Sequence, residues 1–179
     1  MRTDTIFYQI FLTFHSLLFE LLDLPVENAD GYKFTSVEVK EKAFRFDGIF
    51  IPDRTDKLIY FVEVQFQPKS DFYWEFIAEI NIYLNQYKPI QDWQAVAIFA
   101  NRSLEPERLT TYQQELIANN RIIRIYLDEL PSGSIGIGLI QLIVLPEAQA
   151  PKLAKQVMQR TDEITDVAVK QGIVELLLE

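Results

Sequence analysis

Two acidic residues and one amide stand inside apolar segments of this chain, where an ionised side chain has to be stabilised. Glu63 and Gln65 occupy the second half of the run Leu-Ile-Tyr-Phe-Val-Glu-Val-Gln-Phe at residues 58–66, and Asp47 interrupts the run Phe-Arg-Phe-Asp-Gly-Ile-Phe at residues 44–50. Burying an unpaired carboxylate costs on the order of several kcal/mol or more. Each acid therefore requires a cation, hydrogen-bond donors or a water-filled cleft.

The spacing of the two acids predicts that they meet. Alternate residues of a strand share one face, so Glu63 and Gln65 point the same way. If the two apolar runs pair as an antiparallel hairpin about the turn at residues 52–57, Asp47 lies opposite Glu63. Carboxylates this close repel each other unless one is protonated or a cation lies between them. A hard divalent ion is the expected cation, since Mg²⁺ binds carboxylate, water and phosphate oxygens.

A structural interpretation of the same pair stays open. The two carboxylates could be buried together and satisfied by backbone donors or by Arg45. Two acids in apolar strands without an obvious compensating lysine favour the metal site over this interpretation.

Composition narrows the available chemistry to carboxylates. The 179 residues include no cysteine and one histidine, His15, which excludes disulfides, thiolate metal sites, a cysteine nucleophile and a His-rich zinc site. The formal charge of −9 argues against a general polyanion-binding surface, so a nucleic-acid role requires a metal or a local basic patch. The candidates for such a patch are Arg102, Arg108, Arg121 and Arg124. Without an apolar run approaching 18 residues or a secretion signal, we expect a cytoplasmic protein that has no membrane contact.

The periodicity of the apolar residues predicts the elements that position the acids. The predicted helices cover residues 4–22, 71–87 and 105–119, and the predicted strands cover residues 32–40, 43–51, 58–66, 94–100 and 122–127. Strands and helices alternate after the first hairpin, which predicts an α/β fold with a mixed β-sheet flanked by helices. Residues 132–145 are ambiguous, because their glycines weaken a helix while their apolar density fits a buried one.

The C-terminal part of the chain reads as an addition to this core. We assign residues 1–146 to the α/β domain and residues 147–179 to a helical extension. The pattern from residue 152 onward predicts a long amphipathic helix that ends in Leu176-Leu177-Leu178 without a cap. This helix either packs on the domain or mediates self-association as a homodimer.

The order of these elements resembles the PD-(D/E)xK nuclease superfamily, with an Asp-bearing strand, then Glu63-Val64-Gln65 in the next strand, then a helix. The aromatic-rich helix ending Ile82-Tyr83-Leu84 and the segment Arg-Ile-Tyr-Leu-Asp-Glu-Leu at residues 124–130 are similar to the recombination-promoting nuclease or putative transposase group. The resemblance covers residues 4–130. It implies a restriction-endonuclease-like core and a nuclease that hydrolyses DNA phosphodiester bonds with Mg²⁺, or with Mn²⁺ as a substitute.

The resemblance also implies roles for individual residues. Asp47, Glu63 and the carbonyl of Val64 would hold the metal ion, and Gln65 would stand where the superfamily usually has a lysine. Glutamine carries no charge and cannot act as a base, so activity is expected to be weak, to use a lysine from elsewhere, or to be lost. The alternative prediction is a catalytically weak or inactive nuclease fold that serves as an interaction module.

Three further residues are predicted to support this site. Glu20, near the end of the first helix, would be an outer ligand, although a solvated acid is the competing interpretation. Glu79 and Tyr83 share one face of the second helix, where ordinary polar contacts at a helix edge compete with a functional role. The aromatic residues at the start of that helix could stack bases, but their spacing favours a core position. They are Phe72, Tyr73, Trp74 and Phe76.

Overall fold

The computed structural model describes residues 3–35, 38–39, 44–45, 47–145 and 148–161. The helices are α1 (Thr3–Thr13), α2 (Leu17–Leu21), α3 (Phe72–Tyr87), α4 (Thr111–Ala118), α5 (Ile135–Val144) and α6 (Ala150–Thr161). The strands are β1 (Tyr32–Thr35), β2 (Glu38–Val39), β3 (Phe44–Arg45), β4 (Gly48–Pro52), β5 (Ile59–Gln65), β6 (Trp93–Phe99) and β7 (Ile122–Tyr126).

The chain divides into two compact units. Residues from Asp30 to Tyr126 form one, which we call the sheet unit. The described residues before Asp30 and from Leu127 onward form the other, which we call the helical unit. The boundary that the sequence predicts at residue 146 lies outside the described residues and stays a prediction.

The sheet unit contains a mixed five-stranded sheet in the order β1-β4-β5-β6-β7, and β2 pairs with β3 in a separate antiparallel ladder. Strand β4 is antiparallel to both of its neighbours, whereas β5, β6 and β7 run parallel. Parallel neighbours need a crossover, which α3 supplies between β5 and β6 and α4 supplies between β6 and β7. The predicted α/β fold with a mixed sheet and flanking helices is confirmed, and so is a helix in the C-terminal region.

The pairing of β4 with β5 has the register that the sequence predicts. Gly48 pairs with Val62, Ile49 with Phe61 and Phe50 with Tyr60. Asp47 is the residue before β4 begins, so continuing this register places it opposite Glu63.

The core of the sheet unit lies between the sheet and α3. Ile59 and Phe61 of β5 are buried on the face that receives Phe72, Phe76 and other apolar residues of α3. Phe61 meets Tyr83 edge-to-face, with ring centroids 5.1 Å apart. Since Glu63 follows Phe61 by two residues, its side chain belongs to this same face, at the end where α3 begins.

The described residues within the predicted strands at 32–40 and 43–51 belong to β1, β2, β3 and β4. β1 pairs antiparallel with β4, and β2 pairs antiparallel with β3, an arrangement that fits a hairpin and not a continuous bulged strand, the two alternatives that the sequence leaves open here. Residues 41–42, which separate the two predicted strands, lie outside the described residues.

The helix predicted at residues 105–119 begins later, so its predicted start is wrong. Thr110 is the N-cap of α4, and its hydroxyl accepts the backbone N–H of Gln113, whose side chain accepts the N–H of Thr110 in return. Glu105 lies outside the helix, and its carboxylate accepts hydrogen bonds from the hydroxyls of Tyr73 and Tyr126 and from Arg124.

The helical unit shows two departures from the expected pattern. The single helix predicted at residues 4–22 is interrupted between α1 and α2, where the carbonyl of Ser16 starts a new helical turn by accepting the N–H of Phe19. Leu17, Leu18 and Phe19 are all buried, which one straight helix with a single apolar stripe cannot achieve. The ambiguous segment at 132–145 contains a helix, α5, whose glycines allow close approach: a Cβ on Gly136 would lie 3.0 Å from Leu17.

Helix α6 covers the first part of the predicted C-terminal helix, and residues 162–179 lie outside the described residues. Among the described helices, none has the length and apolar character that crossing a membrane requires.

Gly48 allows the close packing that holds β4 beside β1. A Cβ at this position would lie 2.4 Å from Cε2 of Phe34, a buried residue whose ring packs on Phe50 at 4.8 Å. We expect Gly48→Ala to lower the free energy of unfolding by about 1–3 kcal/mol, because the ring or the strand has to move. Urea denaturation of the variant measures this loss.

The Phe34→Leu variant supplies the control for this prediction. A shorter side chain makes room for the new methyl group, so the double variant should lose less stability than the sum of the two single losses. Strictly additive losses would show that the clash with Phe34 is not the cause.

Candidate functional site

Asp47 and Glu63 are in direct contact at the start of β4 and near the end of β5. The backbone N–H of Asp47 donates to Oε2 of Glu63 over 3.4 Å, and the N–H of Val64 donates to Oδ2 of Asp47 over 2.8 Å. Both acids are half-buried, and Val64 is buried. The backbone therefore satisfies one oxygen of each carboxylate, as the structural interpretation expects, while each group can accept further contacts.

The carboxylate of Glu63 is held in an unfavourable environment. Burial raises the pKa of Glu63 well above its usual range, and the charges of Asp47 and Glu79 raise it further. The N–H of Asp47 and the ammonium of Lys69 oppose this rise without cancelling it. A proton or an added cation would relieve the repulsion between these acids.

Glu79 of α3 brings a third acid towards this pair. Its side chain is only 8% exposed, and burial raises its pKa to about 7. Lys69 lowers the pKa of Glu79, whereas Glu75 and Asp47 raise it. The position of Glu79 on the buried side of α3, and not sequence spacing alone, couples it to Asp47 and Glu63.

Lys69 is a cation that acts on two of these acids, since its charge lowers the pKa of Glu63 and of Glu79. It follows β5 and forms a half-exposed ion pair with Glu75 in the first turn of α3. Burial acts to lower the pKa of Lys69, but the hydrogen bond and charge of Glu75 outweigh it, so the pKa is raised and the ammonium stays charged. The acid cluster of Asp47, Glu63 and Glu79 thus has a lysine beside it.

Gln65 takes no part in these contacts. Its side-chain amide donates to the backbone carbonyl of Gln67, two residues further on. In the register of the three parallel strands, Glu63 of β5 pairs with Ala97 of β6, which pairs with Arg124 of β7.

The donor set fits a hard divalent ion in part. Two carboxylates, each of which accepts a backbone N–H from the neighbouring strand, match the one or two carboxylates by which proteins hold Mg²⁺. Among the described residues, no three or more His, Asp or Glu side chains are grouped as a complete metal site. Such an ion would take its remaining ligands from water, from substrate oxygens and from the carbonyl of Val64, whose role as a ligand stays a prediction.

The other predicted residues have separate surroundings. Glu20 belongs to the helical unit, where its carboxylate accepts from the backbone N–H and the hydroxyl of Ser134 at the start of α5. Tyr83 is buried in the core of the sheet unit against Phe61 and Tyr87.

The predicted arginine patch is divided between the two ends of the sheet. Arg121 lies before β7 begins, where it binds Asp92 over 2.7 Å and stacks on Trp93. Arg102 and Arg124 lie towards the other end, with Arg102 over the ring of Tyr126 at 4.1 Å and Arg124 bound to Glu105.

Sequence reasoning did not single out Lys69. The residue stands in a short polar segment, Gln-Pro-Lys-Ser-Asp, between a strand and a helix, where a charged residue is ordinary. Its distance of six residues from Glu63 was the available signal, because a short loop after a strand keeps a residue near the end of that strand.

Comparison with known proteins identifies a family whose function is unknown. A family model described as "Protein of unknown function (DUF2887)" matches residues 3–179. No curated protein and no solved structure matches the chain.

The raised pKa of Glu79 predicts a pH dependence of stability. Between its ordinary value of 4.5 and about 7, the folded protein retains a proton that the unfolded chain releases, so stability falls as the pH rises through this range. We expect Glu79→Gln, which is neutral at every pH, to remove on the order of 2 kcal/mol of that fall by pH 8. Urea denaturation at a series of pH values measures it.

Glu115→Gln is the control for the change of net charge, since Glu115 lies on the exposed side of α4. Parallel stability profiles for wild type and Glu79→Gln would contradict the prediction.

Proposed function

This chain belongs to the DUF2887 family, and we propose that it hydrolyses DNA phosphodiester bonds with a divalent metal ion held by Asp47 and Glu63. The observation that carries the proposal is the contact between two half-buried acids at neighbouring strand ends, joined by the N–H groups of Asp47 and Val64. Burial raises the pKa of Glu63 and the charges of Asp47 and Glu79 raise it further, which supports the proposal because a cation at this point would offset that repulsion.

Each residue at the site has a separate proposed role. Asp47 and Glu63 would supply carboxylate oxygens to the ion, and the N–H of Val64 keeps Asp47 in place by donating to Oδ2. A bound divalent ion supplies a more acidic water and stabilises negative charge on the phosphate. Glu79 adds negative charge from α3, which favours a cation over a proton once the pH exceeds its pKa of about 7.

Lys69 is the residue that we propose for the positive charge that Gln65 lacks. Its ammonium acts electrostatically on both Glu63 and Glu79, and its half-exposed position after β5 leaves it accessible to substrate. Lysine is a flexible point charge, so release from Glu75 would let it meet a phosphate oxygen. Gln65 is left a positioning role at most, since its amide is already bonded to the Gln67 carbonyl.

The alternative is that the fold serves as an interaction module without efficient catalysis. The local hydrogen bond of Gln65 and the formal charge of −9 favour it. Self-association as a homodimer through the C-terminal helix belongs to this alternative and stays a prediction. The two functions differ in one respect that can be measured, which is the response of the acid pair to metal.

Metal binding should stabilise the folded protein by mass action. We expect millimolar Mn²⁺ or Mg²⁺ to raise the wild-type melting temperature by several degrees, since each kcal/mol shifts the midpoint of a protein this size by about 2–4 °C. The Asp47→Asn, Glu63→Gln double variant should lose this response and should cleave no DNA. Differential scanning calorimetry with and without metal measures the shift.

An equal shift in the double variant would place any bound metal elsewhere. No shift in either protein would end the catalytic proposal and favour the interaction module. Asp53→Asn serves as the matched control, because Asp53 is an exposed acid in the turn between β4 and β5.

The role of Lys69 can be separated from metal binding. We expect Lys69→Gln to reduce the turnover of DNA by about 10²-fold, the usual cost of removing one electrostatic group from a transition state, while the metal-induced shift in melting temperature persists. Adding Gln65→Lys to this variant should recover part of the activity. A steady-state cleavage assay measures both.

Lys33→Gln, which removes an exposed lysine from β1, is the control for loss of positive charge. Unchanged turnover in Lys69→Gln would exclude Lys69 from the reaction.

A further inference from the structure

Two exposed aromatic side chains stack on each other at the surface of the sheet unit. Trp74 is 51% exposed and Tyr112 is 48% exposed, and their rings lie 6.4 Å apart at an angle of 21°. The neighbouring aromatics of α3, Phe72, Tyr73 and Phe76, are buried in the core. Trp74 is therefore the one member of the predicted aromatic set that is open to a partner among the residues described.

The stacked pair lies towards the end of the sheet that bears the acids. Helix α3 follows β5 after a short loop, so its first turn, which contains Trp74, stands at the carboxyl ends of the parallel strands. Tyr112 is in the first turn of α4, which packs against the same core cluster as α3 through Leu116 and Ile117. In open α/β sheets ligands bind outside the carboxyl ends of the strands.

Positive side chains stand at the same end of the sheet. Lys69 follows β5, and Arg102, which follows β6, stacks over Tyr126 at the end of β7. Glu75 and Glu105 pair with Lys69 and Arg124, so the local positive charge is largely offset. Phosphate contacts alone would hold a polyanion weakly here, and a ligand would need a second source of affinity.

We propose that Trp74 and Tyr112 form a stacking platform for an unpaired base of single-stranded DNA, which makes single-stranded or locally melted DNA the substrate class of this site. The inference rests on the proposed function, because it assigns the substrate of the same acid cluster. An unpaired base presents its full aromatic face to such a platform, whereas a base inside a duplex is already stacked on its neighbours.

The width of α3 separates Trp74 from the acid cluster by a distance that one continuous strand of DNA can cover. Glu75 and Glu79 lie on the side of α3 that meets Lys69 and Asp47, whereas Trp74 contacts Tyr112 of α4. A helix with its side chains is about 10–12 Å across. A strand whose base rests on Trp74 can therefore bring a phosphate only a few nucleotides away to the acid cluster.

The test measures binding without metal, so that it does not depend on cleavage. The chain has two tryptophans, and a Trp93→Phe background leaves Trp74 as the only one. The probes are a single-stranded DNA of about 12 nucleotides, its duplex, an RNA of the same sequence, and an abasic strand of equal length. All titrations contain EDTA.

We expect the single strand to quench the fluorescence of Trp74, and the duplex and the abasic strand to leave it unchanged at the same concentrations. In the otherwise natural sequence, Trp74→Ala and Tyr112→Ala should each weaken binding of labelled single-stranded DNA by about 10-fold, the usual loss when one stacked base is released. Tyr87→Ala is the matched control, since Tyr87 is 49% exposed near the opposite end of α3.

Several results would overturn the proposal. Equal affinity for the abasic strand would show that only phosphates are bound, and preference for RNA would give the platform a different ligand. Wild-type affinity in both Trp74→Ala and Tyr112→Ala would exclude the platform. If these variants instead change the sedimentation coefficient and not DNA binding, the aromatic pair is a contact between two copies of the chain.

Failure of this inference can be distinguished from failure of the proposed function. A protein that binds the single strand through Trp74 but cleaves nothing with Mn²⁺ retains the platform and loses the nuclease. A protein that cleaves single-stranded DNA with an unchanged KM in Trp74→Ala retains the nuclease and loses the platform.

Discussion

The contact between Asp47 and Glu63 depends on the backbone register of β4 and β5. In that register the N–H of Asp47 points at Glu63 and the N–H of Val64 points at Asp47. A slip of one residue would turn the side chains of a strand to its opposite face and separate the acids. The close packing of Gly48 on Phe34, which leaves no room for a Cβ, holds the start of β4 in this position.

The electrostatics of the site come from the crossover between β5 and β6. That connection brings Lys69 next to Glu75 and turns Glu79 towards the strands, so that among the described residues Lys69 acts on several acids. Burial makes the imbalance costly and raises the pKa of both Glu63 and Glu79. A bound cation or an added proton would relieve the repulsion among these acids, which is why the response of the cluster to metal is the informative property.

A second network shapes the surface beside the acids. Glu105 is held by Tyr73 at the start of α3 and by Tyr126 and Arg124 of β7. Burial acts to raise the pKa of Glu105, but these hydrogen bonds outweigh it, so the pKa is lowered and the group stays charged. The network ties the beginning of α3 to the end of the sheet and leaves Trp74 free to stack on Tyr112 outside it.

The sequence by itself determined the order of strands and helices, the register of the β4–β5 hairpin and the meeting of Asp47 with Glu63. These features depend on apolar periodicity and on a short turn, both of which are local. Only the tertiary structure decided that Glu105, which the sequence places in a helix, lies outside α4 and accepts hydrogen bonds from Tyr73, Tyr126 and Arg124. It likewise decided that Lys69 and Glu79 join the acids and that Trp74 meets Tyr112. Burial, charge coupling and ring stacking arise between residues far apart in the chain, and a linear pattern does not record them.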